Sequence, residues 1–263
     1  MEERTYPLAQ PQLSIYAECI AHEGEIIYTI PCLMEFKERL DAERLAHAVE
    51  QALSVHDVIF ARIFIDDDGE PRMRPEPRPH RVSVPVERMT EARFRQLKPE
   101  LSQPYNLLGD RLFRACVYET EEHLYLFFDF HHIIFDGSSI NIFIEEIGAA
   151  YEGRQLEFEA VTGFDVAAKD AEDRKSPAYD DARQWFVNEF QGCETSSLPA
   201  PDHTGAKGDW GHIDVPIGIS HDVISRFCKQ VGTSWGGFVC GVLGRLLAVY
   251  AGKDEAVLST YYT

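Results

Sequence analysis

Leu124-Tyr125-Leu126-Phe127-Phe128-Asp129-Phe130, followed at once by His131-His132-Ile133-Ile134-Phe135-Asp136-Gly137, is the stretch on which the reading of this chain turns. The first seven residues are aromatic-rich and β-prone, so they read as a strand. Successive side chains on a strand point to opposite faces, so His131 and His132 cannot enter one cavity. One is chemical and the other structural, or neither is chemical. Imidazole titrates closest to neutrality, so a cavity-facing ring can take a proton from an amine, hydroxyl or thiol. The competing reading is a hydrogen-bonded structural pair at a strand end. A metal site is disfavoured, because adjacent side chains diverge and no His, Cys or Glu stands at ligand spacing. Asp136 is expected to fix the loop by pairing with a cation. Gly137 is expected to permit a turn that a side chain would block and to let a substrate approach the backbone. Ser138-Ser139 are expected to cap a helix from about Ile140 to Tyr151.

Outward from this segment the order alternates between strands and helices without an internal repeat. Gly24 to Phe36 reads as an apolar strand region, and Asp41 caps a helix on which Leu45, Val49 and Leu53 recur at helical spacing. Ile59 to Ile65 and Glu70 to Arg74 read as a hairpin turning at Asp66-Asp67-Asp68-Gly69. That acidic triplet lacks the EF-hand pattern and its bidentate Glu, so it reads as a solvated turn. Residues 71–79, rich in proline, form a stiff surface connection. Thr90 to Leu101 reads as a helix, and Leu112 to Tyr118 pairs with the strand ending at Phe130. Gly153 to Pro177 is polar and reads as an irregular exposed loop. Ser196 to Gly211, with Pro, Gly and Asp throughout, is the best linker. Thr233 to Gly252 is an apolar helix.

The 263 residues are 44% hydrophobic, enough for a sizeable core. A net charge of −19 argues against nucleic acid and anionic membranes as partners. No run reaches the ~20 apolar residues of a membrane span, and the amino end, Met1-Glu2-Glu3-Arg4, has no apolar signal segment. Six scattered cysteines without Cys-x-x-Cys spacing read as reduced thiols and a cytoplasmic location.

His-His-x-x-x-Asp-Gly after an apolar strand and before a helix resembles the signature of nonribosomal peptide synthetase condensation domains, members of the chloramphenicol acetyltransferase-like acyltransferases. Other stretches fall in the family's order. Tyr6-Pro7-Leu8-Ala9-Gln10-Pro11-Gln12 is similar to its opening Tyr-Pro-Leu-Ser-x-x-Gln. Val55-His56-Asp57-Val58-Ile59-Phe60-Ala61 is similar to Arg-His-Glu-x-Leu-Arg-Thr, and Pro104-Tyr105-Asn106-Leu107 with Arg111-Leu112-Phe113-Arg114-Ala115 to the stretch upstream of the histidines. Phe164-Asp165-Val166-Ala167, Gln184-Trp185-Phe186 and Leu198-Pro199-Ala200-Pro201-Asp202 resemble later motifs.

The resemblance implies an α/β fold, an α+β two-layer sandwich with a mixed sheet flanked by helices. It implies an amino-terminal lobe at 1–195, a linker at 196–211, and the opening helix and strand of a second lobe at 212–263, with Lys253 to Thr260 as that strand. The remainder of the second wall then lies outside this sequence, and the chain alone is expected to be inactive. The implied activity is amide formation between an acyl or peptidyl thioester donor and an aminoacyl thioester acceptor. Donor and acceptor peptidyl carrier proteins of adjacent synthetase modules deliver both on phosphopantetheine arms, with no bound cofactor. His132 becomes the base or orienting partner for the amine, His131 is structural, Asp136 pairs with an arginine, and Gly137 keeps the passage open. A lipoinitiating starter acyltransferase, an epimerase-like member and a noncatalytic docking module remain as alternatives.

Two positions depart from the family pattern. Phe60 stands where the arginine expected to support Asp136 belongs, so Arg62 or another cation is expected to replace it, or Asp136 to be hydrated. Ser138 stands where many peptide-forming relatives carry Trp. Finally, the apolar helix near Trp235, Phe238, Val242 and Leu246 is expected to mediate self-association through 233–252.

Overall fold

The computed structural model describes residues 4–193, 213–258 and 260. A short strand, β1 (Tyr6–Pro7), leads into α1 (Gln10–Ala21), then β2 (Thr29–Phe36) and α2 (Ala42–Ser54). A 3-10 turn (Asp57–Phe60) precedes the hairpin β3 (Arg62–Ile65) and β4 (Pro71–Arg74). β5 (Val86–Arg88), α3 (Glu91–Leu97), β6 (Phe113–Glu119), β7 (Leu124–His131) and α4 (Gly137–Tyr151) follow. The chain continues through α5 (Gly163–Asp173), α6 (Pro177–Glu189), α7 (His221–Val231) and α8 (Trp235–Ala251).

The main sheet has the order β2-β7-β6-β5, with β7 antiparallel to both neighbours and β5 parallel to β6, which makes it mixed. The register pairs Thr29 with His131 and Phe113 with Phe130. β7 is buried along its whole length because both faces are covered. Leu126, Phe128 and Phe130 face the core shared with Leu45, Val49 and Leu53 of α2 and Phe143 and Ile147 of α4. Tyr125 and Phe127 face a second cluster with Phe94, Cys116 and Tyr118. Fully burying such a side chain contributes roughly 1.5–3 kcal/mol, so β7 is the structural axis on which the histidines end. β1, β4 and β3 form a separate antiparallel sheet, with Tyr6 opposite Met73.

Several sequence expectations are corrected. The strand expected from Gly24 starts at Thr29, because Gly24 takes φ +85° in a turn. Ile59 and Phe60 belong to the 3-10 turn rather than to a strand. Residues 153–177 are not all irregular, since α5 forms there. Its cap is reciprocal: Thr162 Oγ1 accepts from the Asp165 amide, and Asp165 accepts from the Thr162 amide. Phe164 and Ala167, one helical turn apart, are buried and anchor it. Gly163 allows this approach, since a Cβ there would lie 2.9 Å from Val58 Cγ2. No strand forms over 253–258 or at 260. The expected linker at 196–211 lies outside the described residues.

The chain divides into two units, Met1–Asp181 and Ala182–Thr263, and α6 crosses the division. In the second unit α7 ends at Gly232 in the left-handed conformation, and Phe227 meets Phe238 of α8 edge-on at 5.7 Å. Among the described residues no single helix is long and apolar enough to cross a membrane; α7 and α8 pass that test of length and composition only together, bent by 92°. All six cysteines are free.

Candidate active site

The turn after β7 is held by backbone bonds on both sides of His132. The His132 amide donates to the Tyr28 carbonyl at 2.7 Å, and the Ile134 amide to the His131 carbonyl at 3.1 Å. Gln12 of α1 reaches in and donates from Nε2 to the Ile133 carbonyl at 2.8 Å. Ile133, Ile134 and Phe135 are all buried, and Phe135 stacks on Phe130 at 3.9 Å. His132 alone between 131 and 135 is exposed. The alternation read from the sequence is therefore seen directly: one ring is enclosed and the other is presented outward.

His131 is only 5% exposed. Its Nδ1 accepts from the Ile133 amide at 3.1 Å, which places the ring proton on Nε2, where it is donated to Cys19 Sγ at 3.4 Å. Burial and the neighbouring His132 push its pKa down to about 4. A neutral ring with both nitrogens engaged has no capacity left for proton transfer near neutrality. Tyr28 and Tyr105 flank it, the latter edge-on at 5.9 Å. A cavity of about 70 Å³ opens beside it, lined among others by Cys19, Tyr28, Tyr105 and Leu108.

Asp129 lies fully buried one residue pair further back on the same face of β7. Its carboxylate accepts from the Tyr105 hydroxyl, from Ser102 Oγ at 3.2 Å and from Arg114 Nη1 at 3.2 Å. Burial raises its pKa, opposed by those three donors. Arg114 also lies over the Tyr105 ring at 3.9 Å. This network braces the segment that forms one wall beside His131.

Asp136 does not use the partner expected for it. Arg62 instead bonds Glu76, at 2.8 Å through Nη2. Among the described residues no Arg or Lys forms an ion pair with Asp136. The side chain is exposed and caps α4, accepting from the Ser139 amide at 2.8 Å and the Ser139 hydroxyl at 2.7 Å. The cap is thus Asp136, not Ser138-Ser139, and α4 begins at Gly137. Burial would raise the Asp136 pKa, but the Ser139 and Ser138 donors and His132 hold it below the usual range. Gly137 is also corrected: its φ is not positive, and a Cβ there would meet nothing within 4 Å. The turn does not require glycine, which leaves only the reading that it keeps this surface bare. Phe60 is buried and stacks on His80 at 4.1 Å, so the position tolerates an aromatic ring by packing.

A second polar constellation went unseen in the sequence. His56 lies between two carboxylates, Nε2 with Glu146 of α4 at 2.6 Å and Nδ1 with Glu159 at 2.5 Å. Burial alone would lower its pKa, but the two carboxylates overcome this and push it up to about 9. Next to it, Asp57 accepts from Arg78 and from His80 Nε2 at 2.8 Å. Cys19, Tyr28, Asp129 and Glu159 also carried no recognised signal, because their partners come from distant parts of the chain.

An α/β lobe with a mixed sheet, one enclosed and one outward-facing histidine after its central strand, and a capped helix behind them defines an acyltransferase-like architecture. The family model described as Condensation domain matches residues 2–263, and the chain belongs to that family. Tyrocidine synthase 3 of Brevibacillus parabrevis is 30% identical over 271 residues, covering 97% of this chain and 4% of that protein. Bacitracin synthase 3 of Bacillus licheniformis is 24% identical over 271 residues, covering 98% of this chain and 4% of its own length. The first condensation domain of the calcium-dependent antibiotic synthetase, in complex with substrate analogue 3a, superposes with a TM-score of 0.72 at 17% identity over 99% of this chain and 65% of that one. The starter condensation domain of rhizomide synthetase gives 0.64 at 17% identity, over 74% and 50%. The chain thus spans a small part of the curated relatives and half to two thirds of these solved domains.

Proposed function

We propose that this chain contributes the histidine-bearing wall of a site that forms an amide between a carrier-tethered acyl or peptidyl thioester and the amine of a carrier-tethered aminoacyl thioester. The observation that carries this reading is the division of labour between the two rings: His131 is consumed by Cys19 and Ile133, whereas His132 stands exposed at the end of β7. His132 accepts a proton from the amine or orients it by a hydrogen bond. The thioester is already activated, so positioning supplies much of the rate. Asp136 shapes the site by starting α4, and Gly137 leaves its entrance without a side chain. Phosphopantetheine arms deliver both substrates, and the chain needs no bound cofactor of its own.

Residues 1–195 form the first lobe in this reading and 212–263 open a second, whose remainder completes the site. The proteins that supply the substrates are donor and acceptor carrier proteins of neighbouring modules, in the cytoplasm. The outward apolar residues of α8, including Val242, Leu246 and Val249, mediate self-association when that remainder is absent. A single monomeric species in sedimentation at high concentration argues against that.

The test is product formation from two loaded carriers with the second lobe supplied. His132→Ala is expected to lower turnover by up to ~10²–10⁴-fold, while substrate loading is unchanged. Full activity in that variant would remove His132 from the chemistry. Aminoacyl against fatty acyl donors in the same assay separates peptide formation from starter acylation, and no product with either favours a docking role.

A further inference from the structure

Cys19 has no assigned role, yet its sulfur is the partner of the buried ring that sits beside the proposed base. The His131 ring closes a loop across its own backbone: Nδ1 holds the Ile133 amide, and His132 lies between those two residues. Only a ring with a bare Nδ1 can do this, so the geometry of His132 depends on the proton of His131 residing on Nε2. The Nε2–H points at Cys19 Sγ, 3.4 Å away on α1. Gln12, two helical turns earlier on α1, holds the next carbonyl of the same turn.

We infer that Cys19 is a positioning residue: as the acceptor for His131 Nε2–H it fixes the tautomer that lets the ring bind the Ile133 amide and so sets the direction of His132. The inference rests on the reading of His132 given above for its consequence, though not for its geometry. The titratable groups in contact with His131 are Cys19 on α1, Tyr28 before β2, Tyr105 and the adjacent His132, and His22, Glu23 and Glu25 line the cavity beside it. Neither Cys19 nor Tyr105 is anionic near neutrality: burial and Glu18 raise the Cys19 thiol, and burial raises Tyr105. A carboxylate in place of the thiol would change that. It would favour a doubly protonated ring, whose Nδ1–H would then face the Ile133 N–H, donor against donor, and the loop would open.

Three substitutions at one position separate the possibilities. Nitrogen-15 NMR of the histidine rings and exchange of the Ile133 amide are followed in the whole chain. Turnover is measured with the second lobe supplied. Cys19→Ser, which keeps an acceptor, should retain the Nε2–H tautomer, a protected Ile133 amide and turnover. Cys19→Ala should broaden the ring proton and speed Ile133 exchange. Cys19→Asp should protonate His131 near neutrality, expose the Ile133 amide and cost ~10²-fold in kcat through misplacement of His132, with KM little changed and activity recovering as pH rises and His131 loses its extra proton. An unchanged His131 spectrum and Ile133 protection in both Cys19→Ala and Cys19→Asp would overturn the inference. Should the spectra change as expected while His132→Ala stays fully active, the positioning role stands and the catalytic reading of His132 fails. If Cys19→Asp does not fold, the Ser and Ala pair still decides.

Discussion

His131 and His56 are the same side chain, each enclosed in the same lobe, and they sit in opposite charge states. His131 faces a thiol, two phenols and a neighbouring imidazole, and titrates down at about 4. His56 faces Glu146 and Glu159 on either side and titrates up at about 9. Enclosure disfavours the charged ring in both places, so partners and not depth decide the sign. The neutral ring organises backbone at the site. The charged ring ties the 3-10 turn region to α4, nearly three turns beyond Asp136.

The largest expected effect is the response of the neutral ring to acid. The unfolded chain takes the proton at about 6.5 and the folded chain at about 4. The contribution of His131 is therefore complete above pH ~6.5 and is lost as pH falls through 4, about 3 kcal/mol in all. Denaturant midpoints between pH 7 and 4, compared with those of His131→Gln, isolate this limb from the carboxylates. Parallel curves for the two proteins would break the contrast on its neutral side.

The charged ring should respond to alkali. Its folded value of about 9 lies above the ordinary 6.5, so its contribution is complete below pH ~6.5 and is lost as pH rises through 9. Partial exposure of the two carboxylates screens the bridge, leaving about 2 kcal/mol. Glu146→Gln should flatten this limb by removing one of the two charges that raise His56. Together the two rings set a stability maximum for their combined contribution near pH 6.5, below which one is lost and above which the other is. A chain whose stability rises from pH 7 to 9.5 would contradict the assignment of His56 as a bridging cation.

The two sites also differ in how far they could be read from sequence. The neutral one was legible because strand alternation is a local rule: adjacent histidines after Leu124 to Phe130 had to diverge, and they do. The Asp41 cap and the β3-β4 hairpin were legible from equally local rules, whereas the mixed sheet was implied only by the family resemblance. The His56 bridge was not, since Glu146 and Glu159 are 90 and 103 residues away and nothing local marks them. α1 was missed because its apolar residues, among them Leu13, Tyr16 and Cys19, are only half-buried against the core and interleaved with polar ones, a weak helical signal. α5 was missed because its polar composition masked a signal that was present, Thr162 followed three residues later by Asp165, with Phe164 and Ala167 one helical turn apart. Arg62, two residues from Phe60, was expected as one partner for Asp136 beside another cation or hydration; Arg62 went to Glu76, and the exposed carboxylate took the Ser139 amide.

That last misreading makes the smallest and most discriminating prediction, at the junction between the two sites. Asp136 begins α4, the helix that carries Glu146 toward His56. If its role is the cap, Asp136→Asn keeps an acceptor for the Ser139 amide and should leave stability nearly unchanged, whereas Asp136→Ala should cost about 1 kcal/mol. If pairing of the charge with a cation mattered instead, Asn and Ala would be equally harmful, because both abolish the charge. Chemical denaturation of the three proteins at pH 7 separates the two cases. A stable Asn variant with reduced turnover would further show that the Asp136 charge acts on the site, where it interacts with His132, and not on the fold.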